Sequence, residues 1–425
     1  MSENDKKAPI QPPFFYGWVI VFVAGLGVFF SGPGQTYSVS IFIDYYIEDF
    51  DYSRSLVSGI YSGATLCAGL TLFMMGRLVD RFGQRAMMVA IGSLLSLALF
   101  WNAFLIGPIM MFLGFFMIRL FGQGSMTLIP NTLVPQWFIR KRGRALSVMA
   151  IGGFASSALL PPLNTWLIEE FGWRMTWGIW GTVILVLFVP SAYFFVRNQP
   201  KQIGEVPDGN PKSIKGQVNK NPNVDVNEKS WTLKEAMATR AFWFILFCVV
   251  VPALVNTAIT FHMVSIMDLR GLDTAVAAMV LTLMAVVGFP VTFISGYLVD
   301  RFQVHYILAI TFFGHIFTLL ILLFTDTWWL AVGFGVVWGM VSGFERIVLN
   351  IVWPNYFGRE HLGSIKGLAQ TVMVIGSALG PLPFGIFYDW LGGYQEVILL
   401  TLLFPVTAGI LALLSPQPKY EDYHA

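Results

Sequence analysis

The sequence predicts an all-α membrane protein of 12 transmembrane helices, arranged as two six-helix pseudo-symmetric halves with the N- and C-termini cytoplasmic, and three observations lead there. The chain of 425 residues is 56% hydrophobic and only 12% charged, whereas soluble domains carry about 25% charged residues. Apolar stretches recur from Trp18 to Leu414, each near the length of about 20 helical residues that crosses a bilayer core. Landmarks of the first six stretches also return in the last six.

The stretches lie near 16–42, 55–76, 86–107, 109–134, 144–168, 174–196, 240–268, 274–298, 304–325, 328–353, 363–388 and 394–415. Segments such as Met87 to Phe100 and Ile307 to Phe324 are almost uniformly apolar. The strands of a membrane barrel would instead alternate apolar and polar residues.

The repeat fixes the halves. Gly76-Arg77-Leu78-Val79-Asp80-Arg81-Phe82 after the second span returns as Gly296-Tyr297-Leu298-Val299-Asp300-Arg301-Phe302 after the eighth, an offset of 220 residues. Pro135-Gln136-Trp137-Phe138 returns as Pro354-Asn355-Tyr356-Phe357 at an offset of 219. The halves are therefore 1–197 and 234–425, joined by a linker at 198–233. The stretch from Asn198 to Ser230 is rich in Pro, Gly, Asn and Lys and reads as mobile and cytoplasmic. It runs into Thr232 and Glu235, whose spacing is that of a capping box opening a short surface helix.

Basic residues set the orientation. Lys6, Lys7, Arg77, Arg81, Arg85, Arg140, Lys141, Arg142, Arg144, the lysines of 201–234, Arg301, Arg359 and Lys419 fall on one side, which is then cytoplasmic. The N-terminal segment lacks the apolar core and cleavage site of a signal peptide. Cys67 and Cys248 lie in separate spans and are expected to be free thiols. The basic residues sit in short loops and form no patch for nucleic acid. No nucleotide-binding loop, metal-ligand cluster or nucleophile elbow occurs, so neither an enzyme nor a cofactor or metal site is expected.

Polar residues within spans mark the candidate sites. Arg119, Gln123, Thr127 and Asn131 follow one another at intervals of four in the fourth span, which places them on one face of an α-helix. Ser342, Arg346 and Asn350 repeat the spacing in the tenth, with Glu345 beside Arg346. A charge at the bilayer centre costs at least about 3 kcal/mol, so such side chains face partners or water. The guanidinium fork of Arg346 or Arg119 suits a carboxylate, and this pattern points to a small organic anion. Gln35 and Tyr37 in the first span and Asn256 in the seventh complete the candidate binding set with Asn350, Gln123 and Asn131. Glu345, the acidic residue near the middle of a span, and His262 are the proton-coupling candidates. Glycines and prolines at Gly25, Gly27, Gly32 to Gly34, Pro161, Pro162, Pro252, Pro381 and Pro383 are expected to break or bend spans one, five, seven and eleven.

The loops GRLVDRFGQR and GYLVDRF resemble the G-x-x-x-D-R-x-G-R/K-R signature of the major facilitator superfamily. That resemblance implies a cytoplasmic gate built from Gly76, Asp80, Arg81 and Arg85 and, in a degenerate second copy, from Gly296, Asp300 and Arg301. Asp80 would pair with Arg81 or Arg85, and Asp300 with Arg301. It also places the ninth span, which carries His315, at the periphery. Within the superfamily, Tyr16 to Val21, Tyr37 to Phe42, Thr232 to Ala236 and Ala241 to Trp243 resemble the monocarboxylate porters and the oxalate/formate antiporters. This implies a secondary transporter of small organic acids such as lactate or pyruvate, often proton-coupled, working by alternating access in the inner (plasma) membrane. Gln35 stands where animal members place a lysine, and Thr274 to Val299 contains no basic residue where the family has an eighth-span arginine. The other readings are an exporter of amphipathic or drug-like compounds and a membrane sensor on a transporter fold. Expected partners are the organic anion, a proton and the lipid bilayer, with a monomer compatible with the sequence.

Overall fold

The computed structural model describes residues 10, 12–52, 54–209 and 230–419. Lys6, Lys7 and residues 210–229 of the expected linker lie outside the described residues. Among those described, every regular element is helical, as a medium without water requires, because a helix satisfies its own backbone.

The chain opens with α1 (Gly17–Phe30) and α2 (Thr36–Phe50), separated by a 3₁₀ turn at Gly32–Gly34. Next come α3 (Arg54–Phe82) and α4 (Gln84–Ala103), then α5 (Pro108–Met117) and α6 (Met126–Trp137), which flank a π-helical segment at Ile118–Ser125. Helix α7 (Arg142–Val183) passes through a second π segment, Ile184–Phe188, into α8 (Val189–Phe195). The later part holds α9 (Leu233–Ala238), α10 (Arg240–Asp268), α11 (Thr274–Val299), α12 (Val304–Leu323) and α13 (Trp328–Phe357). It ends with α14 (Leu362–Leu379), α15 (Pro381–Leu391), α16 (Gln395–Thr401) and α17 (Leu403–Leu413).

Among the described residues, eleven segments are long and apolar enough to cross a membrane. One of them, Arg142–Phe195, has 54 residues, about 80 Å of helix at 1.5 Å per residue, against a bilayer core of about 30 Å. It is divided at Gly172, whose φ of 77° and ψ of 158° leave the helical region; a residue without Cβ adopts that conformation at little cost. Spans one and eleven are interrupted as expected, at Gly32–Gly34 and between α14 and α15, whereas α10 stays helical through Pro252.

Side-chain caps start the helices where the sequence supplies them. Thr232 Oγ1 accepts from Glu235 N–H at 3.3 Å, and Glu235 Oε2 accepts from Thr232 N–H at 2.7 Å, completing the capping box. Thr239, Asp273 and Thr327 cap α10, α11 and α13 in the same way.

The described chain forms two compact units. The first comprises Met1–Gln217 with Arg359–Thr371, and the second Val218–Gly358 with Val372–Ala425. Arg359–Thr371, which includes the start of α14, belongs with the first unit. Among the residues that hold it there, with Gln136 and Asn131, is Asp80. Its Oδ1 accepts from Gly363 N–H at 2.8 Å and its Oδ2 from Ser364 N–H at 2.6 Å, so a carboxylate sits on the positive end of a helix. Gly76 lies against the Gly363 carbonyl, leaving no room for a Cβ.

Within the first unit, aromatic and amide side chains knit α2 to α7. Phe42 stacks on Trp177 at 4.0 Å, Trp177 Nε1 donates to the Tyr46 hydroxyl at 2.7 Å, and Asn164 bridges Trp180 Nε1 and Ser38 Oγ. At the end of α2, Asp49 accepts from Trp173 Nε1 at 2.9 Å and Arg174 Nη1 at 2.7 Å. The Trp173 bond, and then Arg174, hold this carboxyl below its usual range. The tie is therefore present above the ordinary carboxylate value and is lost only as pH falls through the lowered one. The beginning of the expected mobile linker is anchored. Asp208 accepts from the N–H groups of Ile139, Arg140 and Lys141, and Asn198 accepts from Arg85 N–H.

In the second unit α13 packs along α11 and α12, and α17 along α10 and α12. The loop before α9 is joined to the end of α13 by Trp231 N–H donating to Phe357 O at 2.9 Å.

Gly34→Ala places a Cβ against the backbone of Ile118, Gln123 and Gly122 and should destabilise by about 1–3 kcal/mol, read as a lowered thermal midpoint in detergent. Gly178→Ala, which meets nothing within 4 Å, should leave that midpoint unchanged or raise it. Asp80→Ala removes two hydrogen bonds to a charged acceptor and should speed amide exchange at Gly363 and Ser364 by about ten-fold or more; Asp80→Asn, with one acceptor oxygen, should fall between.

Candidate functional site

The polar row expected in the fourth span is divided by its π segment. A π-helix has a wider turn than an α-helix, so residues at intervals of four no longer line up across it. Arg119 at its start is buried, 6% exposed, while Gln123, Thr127 and Asn131 are half-buried. Arg119 Nη1 donates to Gly34 O at 3.0 Å and Thr36 Oγ1 at 3.2 Å, and the guanidinium lies 5.1 Å from the Tyr61 ring centroid. The break at Gly32–Gly34 exposes a carbonyl that no helical N–H can reach, and Arg119 satisfies it.

The neighbouring candidates of the first span are also tied within the fold. Gln35 Nε2 donates to Ser31 Oγ at 3.2 Å, and the Tyr37 hydroxyl donates to Ser156 Oγ at 2.8 Å. Asn131 Nδ2 donates to Thr127 O, and its own carbonyl accepts from Lys366 Nζ at 3.2 Å. Lys366 is thus buried against α6.

On α13 the two adjacent charged residues point apart. Glu345 is 6% exposed, whereas Arg346 is exposed. Arg346 remains close enough to act on the Glu345 carboxylate electrostatically. Asn350, one turn further, donates through Nδ2 to Arg346 O at 2.8 Å.

Glu345 is held from two neighbouring helices. Asn256 Nδ2 on α10 donates to Glu345 Oε2 at 3.1 Å, while Trp338 Nε1 donates to Asn256 Oδ1 at 2.9 Å. Both ends of the Asn256 amide are therefore occupied. The other carboxylate oxygen, Oε1, is in direct contact with Nε2 of His315 on α12. His315 is 1% exposed. The expectation that its span is peripheral did not anticipate this pairing.

His262 makes a separate cluster. Its Nε2 faces Pro381 O at 3.1 Å, a contact only an N–H can make, and Nδ1 lies 3.1 Å from the Tyr394 hydroxyl. The ring stacks on Phe384, so His262 ties α10 to α15.

The gate residues differ from the expected ion pairs in the first copy. Asp80 binds the start of α14, while Arg85 donates through Nε and Nη2 to Tyr193 O and lies 5.1 Å from that ring centroid. Arg81 stacks over Phe82. In the second copy Arg301 lies 4.2 Å from the Tyr297 ring centroid, Gly296 is buried, and Asp300 is 7% exposed.

Three comparisons agree with this architecture. The family profile described as Major Facilitator Superfamily matches residues 17–381. Human Monocarboxylate transporter 2 is 25% identical over 440 residues, covering 99% of this chain and 90% of that protein. The uncharacterized MFS-type transporter YcxA of Bacillus subtilis (strain 168) is 23% identical over 456 residues, covering 99% and 100%. The uncharacterized MFS-type transporter YhjX of Escherichia coli (strain K12) is 26% identical over 213 residues, 50% of this chain and 48% of that protein. Among solved structures, the transporter FucP in the outward conformation gives a TM-score of 0.69 at 15% identity, covering 95% of this chain and 100% of that one. The human organic anion transporter MFSD10 gives 0.67 at 14% identity, with 95% and 100% covered. At those identities the likeness concerns the fold alone. With the profile spanning most of its spans, the chain belongs to the Major Facilitator Superfamily, whose members carry small molecules across membranes.

Proposed function

We propose that this protein is a proton-coupled secondary transporter of a small organic anion, a monocarboxylate of lactate or pyruvate size. It sits in the plasma membrane with twelve crossings, Arg142–Phe195 counting as two, and with both termini cytoplasmic. The observation that carries the reading is Arg346. A guanidinium within an apolar span is costly at the bilayer centre, at least about 3 kcal/mol unless polar groups or water accompany it, and Arg346 is exposed on α13. Its planar fork matches a carboxylate, and Asn350 lies one turn away. Arg119, the other arginine of the polar rows, is buried and gives its Nη1 to the Gly34 carbonyl and Thr36. A monocarboxylate transporter among the relatives aligned over nearly the whole chain supports the same substrate class. Arg346 then does from α13 what an arginine on α11 does in the family this sequence resembles.

The test is uptake of labelled pyruvate or lactate into proteoliposomes under an inward proton gradient. Wild type should accumulate the label, Arg346→Gln should lose at least about ten-fold, and Arg346→Lys should fall between because it keeps the charge without the fork. Uptake indifferent to Arg346→Gln would return that residue to a structural role. Failure of folded wild type to take up either acid would remove them as substrates and favour export of amphipathic compounds.

A further inference from the structure

The site cluster contains a histidine that neither polar row predicted, and it touches the acidic residue nearest to Arg346. From this geometry we infer that His315 and Glu345 form one proton-binding unit and that this unit, not His262, carries the coupled proton. The inference rests on the proton-coupled anion reading above and names the proton's site within it.

Glu345 Oε2 accepts from Asn256 Nδ2 at 3.1 Å, and its Oε1 faces His315 Nε2, both of these atoms being buried with no other polar partner. Asn256 is in turn fixed by Trp338 Nε1 at 2.9 Å. Rotation of the carboxylate away from the imidazole would break the Asn256 bond. Other ionisable groups stay apart. Helix α11 has none between Thr274 and Gly296, and α17 has none along its length. On α12, His305 and Tyr306 lie about 15 Å and 13 Å along the helix from His315. On α10, Cys248 donates to Ala408 O, and His262 is bound to Pro381 and Tyr394. The charged side chain of α13 that acts on the pair is Arg346.

Two protonation states fit the contact. With one proton the pair is Nε2–H facing a carboxylate, net charge −1. With two it is neutral overall, either a carboxyl donating to Nε2 with the other ring nitrogen protonated, or an imidazolium facing the carboxylate. Loading takes one proton from water and changes the pair from −1 to zero. A cation at Arg346 favours the −1 state, and an anion bound to Arg346 cancels that cation. Binding the substrate anion therefore favours loading the proton, and the effect is reciprocal. Anion and proton then travel one to one with no net charge. His262 lacks this coupling, because its two nitrogens are committed to α15 and Tyr394.

The test uses full-length protein in proteoliposomes with two readouts, gradient-driven accumulation of labelled pyruvate and pyruvate–pyruvate exchange at equal pH, which requires no net proton movement. Glu345→Gln and His315→Phe should each lower accumulation relative to exchange by about ten-fold or more, within the usual range of coupling between two ligands. The double variant should be no worse than either single one, because the two residues act as a unit. His315→Gln, which keeps an N–H donor, should retain part of the accumulation. Accumulation equal to wild type in either single variant, multiplying effects in the double, or equal loss of exchange and accumulation in monodisperse variants would overturn the pair.

A second measurement separates this inference from the substrate reading. In infrared pH titration of the reconstituted protein, a carboxylic C=O band should titrate in wild type, be absent in Glu345→Gln and move in His315→Phe. If wild type transports neither acid, the carboxylate reading fails while this band still supports the pair. If no such band titrates in wild type, the pair fails even where transport is proton-driven.

Discussion

The absence of water inside a bilayer is the constraint on which the rest of this structure depends. Every carbonyl, amide and charge within a span has to find its partner in the protein. Hydroxyls at Thr71, Thr127 and Thr292 return to carbonyls three or four residues upstream in their own helices. The break at Gly32–Gly34 recruits Arg119, and Glu345 recruits His315 and Asn256. The break at Gly32–Gly34 and the charge of Glu345 are thus met by named groups on other helices of the same unit.

The same constraint separates the two arginines. Both stand in polar rows at the same spacing, yet their surroundings assign them different tasks. Arg119 is buried between a broken helix and the Tyr61 ring, where its donors complete the backbone. Arg346 is exposed on α13, one residue from a buried carboxylate that is already held by neighbours. In the proposed mechanism this cation beside the His315–Glu345 pair is the means by which anion binding and proton binding influence one another.

Asp80 illustrates how a loop motif becomes architecture. Its carboxylate binds two backbone N–H groups at the start of α14 instead of an arginine of its own loop, and so draws Arg359–Thr371 into the first unit. A hydrogen bond to an ionised acceptor is about twice as strong as a neutral one, and two of them converge here. Arg85, released from the expected ion pair, fastens the start of α4 to Tyr193 on α8. Asp208 likewise holds the turn from Ile139 to Lys141, which converts the start of the linker from spacer into scaffold.

The amino-acid sequence by itself determined the helical class, the apolar stretches, the two-fold repeat and the helix start at Thr232. These depend on hydropathy and on contacts three or four residues apart, which the order of residues specifies directly. It also marked Arg346, Glu345 and Asp80 as charges that need partners. Tertiary structure alone decided who those partners are. Equal distance from the turn after α12 would match His315 with Val336, nine residues short of Glu345. Side chains lean toward the N-terminus of their own helix, so on these antiparallel neighbours the His315 ring leans away from the turn and the Glu345 chain leans toward it, which reduces that gap. The π segment at Ile118–Ser125, against which Gly34 packs at Gly122, has no comparable signature. Propensity and periodicity describe one helix at a time, whereas the pairing of charges depends on how several helices cross.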